Sequence, residues 1–342
     1  MPEISRSWTV YFFSMVALIL AATAPADAGS KVKFKACTVA PAGTPWEQQT
    51  KNMKKYIRKE SQGEIRMKVY YGGAKGSAKE CIEKILASEL QMYGGTLSAM
   101  SFVIPELEVF DLPFLWTSTE EVDFVLDNHL LPVVGSVFRA GGFVFNQWAE
   151  NGWHGIGTKG KFIKSPGDLK DLTIRSQPSI IHPLTWSTFG AIPVELWTSD
   201  VVDALESGKI VAYGNTPLFV FAAGWQTYIT HFTLTQHLYQ PGVLAFGKSW
   251  FDQQTPEHKK ILRGRSHKGA LEGRAGVRKI QPELIENFRS FGIKVYELTP
   301  VERQQFAKTA EKVRRAYEGK ATPGATLLLK AIEKGKAAFK SK

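Results

Sequence analysis

Between residues 32 and 89 the hydrophobic pattern switches repeatedly between strand and helix periods, and this alternation restricts the fold more than any other feature of the chain. Residues 32–37 are rich in β-formers and run into the loop Ala40-Pro41-Ala42-Gly43-Thr44-Pro45. A helical stretch follows over 46–60. Residues 65–71 then alternate, with Ile65, Met67 and Val69 on one face and Arg66 and Lys68 on the other, as a half-buried strand requires. That run stops at Gly72-Gly73, and 77–89 reads as the next helix. Strand, loop and helix in repetition predict parallel βαβ units, an α/β fold rather than a sandwich.

Several helix starts are legible. Ser118 with Glu121 predicts a capping box, and Thr299, Pro300 and Glu302 supply N-cap, N1 and N3 of a late helix. Ser199 is placed to cap 200–207, with Gly208 to end it. The chain has 342 residues, no evident internal repeat and no low-complexity linker. At roughly 150 residues per domain this length suggests two domains or one large unit. Two domains without a linker often exchange strands, and 146–152 and 236–242 are the expected crossover points.

The N-terminus reads as an export signal. Arg6 and the free amine precede a short apolar run over 10–22, and Ala26-Asp27-Ala28 has the small-x-small pattern of a cleavage point. Residues 1–28 are therefore expected to be removed, with the cut after Ala28 and a periplasmic mature protein. A retained anchor is the alternative, but the run is shorter than the roughly 20 residues a spanning helix needs. The net charge of +11 raises the question of nucleic acid, yet basic and acidic residues are interleaved, as over 51–64. No nucleic-acid partner is expected; a positive field that draws in small anions is the milder reading. Two cysteines are too few for a disulfide scaffold. Whether Cys37 and Cys81 pair is open at this level, as is the oligomeric state.

Catalytic patterns are missing. There is no G-x-S-x-G, no Walker A loop and no H-E-x-x-H, and His231 and His237 are spaced for neither a helix face nor a strand pair. The glycine-rich 71–76 lacks a dinucleotide fingerprint and reads as a strand-to-helix turn. No enzyme activity, metal or cofactor is expected.

Five segments in order resemble one known family. They are Val69-Tyr-Tyr-Gly-Gly-Ala-Lys-Gly-Ser-Ala-Lys-Glu-Cys-Ile-Glu83, Pro105-Glu-Leu-Glu-Val-Phe-Asp-Leu-Pro-Phe-Leu115, Ile163-Lys-Ser-Pro-Gly-Asp-Leu-Lys-Asp-Leu-Thr-Ile-Arg175, Phe189-Gly-Ala-Ile-Pro-Val194, and Asp203-Ala-Leu-Glu-Ser-Gly208 ahead of Asn215. With them the chain, from about Val32 to about Tyr317, resembles the solute-binding subunits of tripartite ATP-independent periplasmic (TRAP) transporters, of the dicarboxylate-binding type. The resemblance implies a two-lobed α/β periplasmic binding protein, type II-like, with crossing strands and a long connecting helix. The first lobe is expected over 29–150 with a return over 241–298, the second over 151–240 with contributions from the C-terminal helices, and a helical C-terminal segment over 299–342. The implied ligand is a small organic acid, held between the lobes and delivered to membrane permease subunits that run on an ion gradient. Alternatives are a carrier of an apolar or lipid-like ligand, suggested by the aromatic content, and a binding protein that feeds a periplasmic sensor.

The resemblance also proposes ligand-binding residues. Arg175 ends a predicted strand, 172–175, where ligands of open α/β sheets gather, and its planar fork suits a carboxylate. In the family the arginine at this position pairs with the ligand carboxylate; a surface ion pair is the plain alternative. Asn215 matches an Asn-Pro motif, although here the order is Asn215-Thr216-Pro217; it reads equally as a turn residue. His154 stands where many members carry a second arginine, so a monocarboxylate or hydroxylated acid is expected rather than a dianion; simple packing at the lobe junction is the alternative. Trp197 is a candidate to cover the ligand's apolar part or to pack in the core. Glu80 matches a cleft carboxylate of the family, but equally a first-turn acid that complements its helix. Thr96 is a candidate hydroxyl donor.

Overall fold

The computed structural model describes residues 32–342; the expected signal sequence lies outside them. Eleven strands form two sheets. In the first, β1 (Val32–Cys37) lies parallel to both β2 (Ile65–Tyr70) and β3 (Met92–Thr96). Beyond β3 the order continues with two strands from later in the chain, β10 (Tyr239–Gly247) and β4 (Phe143–Trp153). The second sheet has the order β11-β9-β5-β8-β6-β7. Its members are β5 (Gly155–Thr158), β6 (Thr173–Ser176), β7 (Ile192–Glu195), β8 (Ala212–Asn215), β9 (His231–Leu234) and β11 (Lys294–Glu297). Each sheet is the centre of one lobe.

The predicted βαβ entry is present. The helix Pro45–Glu60 starts with Pro45 in its first turn, where the missing N–H costs nothing, and buries Trp46, Met53 and Ile57 along one face. The helix Ala78–Leu86 starts at a reciprocal capping box between Ser77 and Glu80. The late box of Thr299 and Glu302 is also formed. Two expected caps differ. The Ser118 hydroxyl accepts from the Glu121 N–H, but the Glu121 carboxylate accepts from Thr117 N–H instead of closing the box. Ser199 does not cap: a 3-10 turn, Thr198–Asp200, intervenes, Asp200 takes the N-cap position, and the Ser199 hydroxyl turns to the Asp200 carboxylate.

Among the described residues, four connections tie the lobes. The strand β4 runs through His154 into β5, and β9 returns through 235–238 into β10. The second crossing, at 235–238, overlaps the expected 236–242. The first lies just past the expected 146–152, because the antiparallel ladder with β10 holds β4 in the first sheet as far as Trp153, opposite Tyr239. The third connection is the 25-residue helix Ser266–Ser290. It packs along β4 and leads to β11, which pairs with β9. The expected return of 241–298 to the first lobe therefore ends in the second. The helix Pro300–Glu318 packs on the second-lobe helix Ile181–Thr188, and in the fourth connection Pro323–Lys340 comes back to Thr119–Val125 in the first.

Ion pairs fix the long helix to the first lobe. Arg274, 1% exposed, meets Asp123 and Asp127, while Arg278 bridges Asp123 and Glu150 at 2.6 and 2.9 Å. Burial strips a guanidinium of its hydration, and ion pairs of this kind offset that cost. Cys37 and Cys81 are both buried free thiols in one apolar cluster of the first lobe.

Candidate functional site

The lobes meet over a cleft of about 500 Å³, solvent at its mouth included. Strand polarity determines what reaches it. The parallel strands β6 and β8 direct their carboxyl ends to the cleft from the second lobe, and β3 does so from the first. Arg175 lies near the end of β6, Asn215 at the end of β8 and Thr96 at the end of β3. All three line the cleft, together with Trp197, which follows β7. Four of the six residues proposed from sequence, spread between positions 96 and 215, are thus gathered at one cleft.

Arg175 is 3% exposed. Its Nε–H donates to the Leu196 carbonyl at 3.1 Å, and its guanidinium lies 5.8 Å from the Trp225 ring. Burial alone pulls its pKa down to about 9, since no carboxylate offsets the desolvation. Arg274 and Arg278 show the contrary case: their ion pairs outweigh burial and raise them. Arg175 is also the one charged side chain among the residues that line the cleft. A buried cation without a counter-charge is costly, and an entering anion relieves that cost.

Asn215 accepts the Thr216 N–H on its side-chain oxygen at 2.8 Å, which leaves its NH2 as the donor for the cleft. Thr216 then caps the short helix Pro217–Ala222, whose Phe219 also lines the cleft. Trp197 is half-buried and meets Phe102 of the first lobe edge-on, with ring centroids 6.3 Å apart.

The other two candidates stand elsewhere. Glu80 is exposed, its carboxylate accepts the Ser77 N–H, and that bond holds it below the usual carboxylate range. It is not among the lining residues. His154 is buried behind the cleft wall, also outside the lining. Its Nε2 faces the Gln240 side-chain oxygen at 3.2 Å, and that oxygen already accepts from Asn151 at 2.7 Å, so His154 carries its proton on Nε2. Burial pulls its pKa well below the usual value, so the imidazole is neutral.

Gln240 is a cleft residue that the sequence did not reveal. Its oxygen accepts from Asn151 and His154, and its NH2 donates to Ser98 at 2.7 Å and Gln177 at 3.3 Å. Ser98 passes the network on to Asp111. One side chain on a crossing strand therefore joins the two lobes and the hinge. Gln177 follows β6 by one residue, so proximity to Arg175 was its only legible signal. Gln240 had none beyond its place in the expected crossover.

Further contacts cross the lobes. The Glu108 carboxylate accepts the Ile180 N–H at 2.8 Å, and Asp111 lies 3.6 Å from His182. The cleft is closed in this structure. Among the described residues no cluster of histidine, cysteine and acidic groups could hold a metal ion, and no helix is long and apolar enough to cross a membrane.

Two lobes joined by crossing strands, closed over a cleft with a buried guanidinium, are the architecture of a binding protein, and residues 36–320 match a family profile described as bacterial extracellular solute-binding protein, family 7. The chain belongs to this family. Among its curated relatives, a solute-binding protein of Verminephrobacter eiseniae is 26% identical over 77% of this chain and 82% of its own length. The 2,3-diketo-L-gulonate-binding periplasmic protein YiaO of Escherichia coli is 24% identical over 81% of this chain and 84% of its own. A TRAP periplasmic solute-binding protein of Sulfitobacter sp. NAS-14.1, solved with bound β-D-galacturonate, superposes with a TM-score of 0.83 at 20% identity, covering 88% of this chain and 99% of that one. The family assignment makes this a bacterial extracellular solute-binding protein, and the superposition shows the two-lobed fold that the resemblance implies.

Proposed function

We propose that this family 7 solute-binding protein captures a hydroxylated monocarboxylate between its lobes and delivers it to the membrane permease subunits of a TRAP transporter. The observation that carries the reading is Arg175: a buried guanidinium without a carboxylate partner, the one charge among the lining residues. One fixed positive charge matches one anionic group. Neutral donors and acceptors around it, Thr96, Ser98, Gln177, Asn215 and Gln240 among them, suit hydroxyl groups. The neutral His154 supplies no second charge. Ligands of the relatives point to the same class, with 2,3-diketo-L-gulonate for YiaO and galacturonate for the Sulfitobacter protein. A lipid-like ligand would leave Arg175 buried and uncompensated, which disfavours that alternative.

The proposed mechanism is closure by differential binding. Arg175, Trp197 and Asn215 belong to the second lobe, and Thr96 to the first. A ligand that touches both sides stabilises the closed form over the open one, and so shifts the population. The permease then distinguishes loaded from empty protein by shape. In this reading Glu80 contributes its helix cap, and His154 holds Gln240 in place. Export with removal of residues 1–28 completes the proposal, and N-terminal sequencing of the exported protein is expected to begin at Gly29.

Ligand extracted from the purified protein and identified by mass spectrometry tests the function. A hydroxylated monocarboxylate is expected, with binding confirmed by isothermal titration and lost in Arg175→Ala. Recovery of a lipid, or affinity undiminished in that variant, would refute the reading.

A further inference from the structure

Tyr93 is the polar group of the cleft that nothing above explains. It lies on β3, its side chain is wholly buried, and it lines the cleft. Its hydroxyl has no hydrogen-bond partner among the described residues. Buried hydroxyls are as a rule satisfied, because an unpaired one loses its water without compensation. The two other tyrosines as deeply buried follow that rule. Tyr213 donates to the Trp225 carbonyl at 3.2 Å, and Tyr239 accepts from Arg278 at 3.5 Å. The nearby Cys37 thiol is directed at the Met92 carbonyl, 3.9 Å away, and does not serve the phenol.

The backbone is shaped around this ring. Residues two apart on a strand share a face, and the residue two beyond Tyr93 is Gly95. A Cβ at Gly95 would lie 2.1 Å from the phenolic oxygen and 2.4 Å from the ring carbon that bears it. The phenol therefore lies along the strand over Gly95, with its oxygen carried towards the carboxyl end of β3. That end carries Thr96 and opens on the cleft. If the site needed only apolar filling, phenylalanine would supply it without an unpaired oxygen.

We propose that the Tyr93 hydroxyl is a ligand-binding group: it hydrogen-bonds a hydroxyl of the acid whose carboxylate Arg175 holds, and so selects hydroxylated acids over their deoxy analogues. This rests on the function proposed above. Tyr93 belongs to the first lobe and Arg175 to the second, so a ligand bearing both groups joins the two walls. A phenol can donate or accept, which fits a ligand hydroxyl. Sites built to bond a hydroxyl discriminate strongly against ligands without one, because their own polar group is then left unpaired.

Tyr93→Phe removes the oxygen alone. Titrations with D-galacturonate, D-glucuronate and D-galactonate are run on wild type, Tyr93→Phe and Arg175→Ala, with the ligand-free melting temperature of each. Tyr93→Phe is expected to weaken binding of the hydroxylated acid by about 5- to 100-fold, and to melt without ligand at the same temperature as wild type or higher. A purely structural hydroxyl would give the opposite, a lowered melting temperature with affinity kept within twofold, and that result overturns the proposal. So does unchanged affinity at unchanged melting temperature. If Arg175→Ala abolishes binding while Tyr93→Phe does not alter it, the function stands and this assignment falls. If wild type binds none of the three acids, both fall together.

Discussion

The Nε–H of Arg175 points at the carbonyl oxygen of Leu196, 3.1 Å away, and this single bond orients the guanidinium. It occupies one donor, so the terminal NH2 groups stay free to meet a carboxylate side-on. It also fixes the strand β6 to the segment that carries Trp197, since Leu196 immediately precedes that residue. The guanidinium and the Trp197 ring are therefore positioned by one contact.

Arg175→Met keeps length and removes charge. Affinity for the bound acid is expected to fall by ~2–5 kcal/mol, the usual range for truncation of one partner of a buried charge pair. Without ligand the same variant is expected to melt at a temperature equal to or above wild type, because an uncompensated buried cation has gone. Calorimetry in the presence and absence of ligand reads both, and a destabilised ligand-free variant would contradict the unpaired state of Arg175.

Gln240→Leu keeps volume but leaves Asn151, His154, Ser98 and Gln177 each short of a partner. A loss of about 2–4 kcal/mol in unfolding free energy is expected, at the upper end for a single site because a connected network is broken. Urea denaturation measures it. Wild-type stability in this variant would mean that the crossing strands do not depend on the network.

Phe102 and Trp197 touch across the cleft mouth, edge to face at 6.3 Å. Such a pair contributes ~0.5–1.5 kcal/mol, and here it joins the two lobes. Phe102→Ala is expected to weaken binding about 2- to 10-fold, through faster dissociation rather than slower association. Stopped-flow kinetics separates the two, and an unchanged dissociation rate would remove the pair from the closing machinery.

Glu108 is raised from 4.5 to about 7, chiefly by burial and also by the neighbouring Asp111, against the Ile180 N–H bond that lowers it. The phenol of Tyr317 is the other titrating group that feels its charge. A carboxyl raised in the folded state stabilises fully below its unfolded pKa, and that contribution fades as pH rises to the folded value. Glu108→Gln retains an acceptor for Ile180 N–H and does not titrate. Its stability relative to wild type should therefore climb between about pH 4.5 and 7 and stay level above. Thermal melts across that range check the sign; a gap that narrows over the same interval would show that Glu108 is ionised in the fold.

Much of the chain could be read locally. The alternation of periods over 32–89, the Thr299 box and the stop at Gly208, with φ +73°, depend on near neighbours, and each is present. The strand end that carries Arg175 is a local property, while its proposed role came from the family motif around it. Ser199 misled because a 3-10 turn satisfies the helix entry one residue later, a choice between two local solutions that depends on packing.

The cleft itself is not a local object. Its lining comes from β3, β6, β8, β10 and the segment after β7, so which side chains share it follows from the crossing of two strands between sheets. Sequence alone determined the α/β class and the order of elements over 32–89, because those follow from short-range periodicity; Arg175 was singled out by its place in a motif that resembles the family's. Tertiary structure alone decided that Glu80 faces outward, that His154 is neutral behind Gln240, and that Tyr93 reaches the cleft without a partner. Each depends on what is packed against the group, and burial rather than residue type determines charge and hydrogen bonding there.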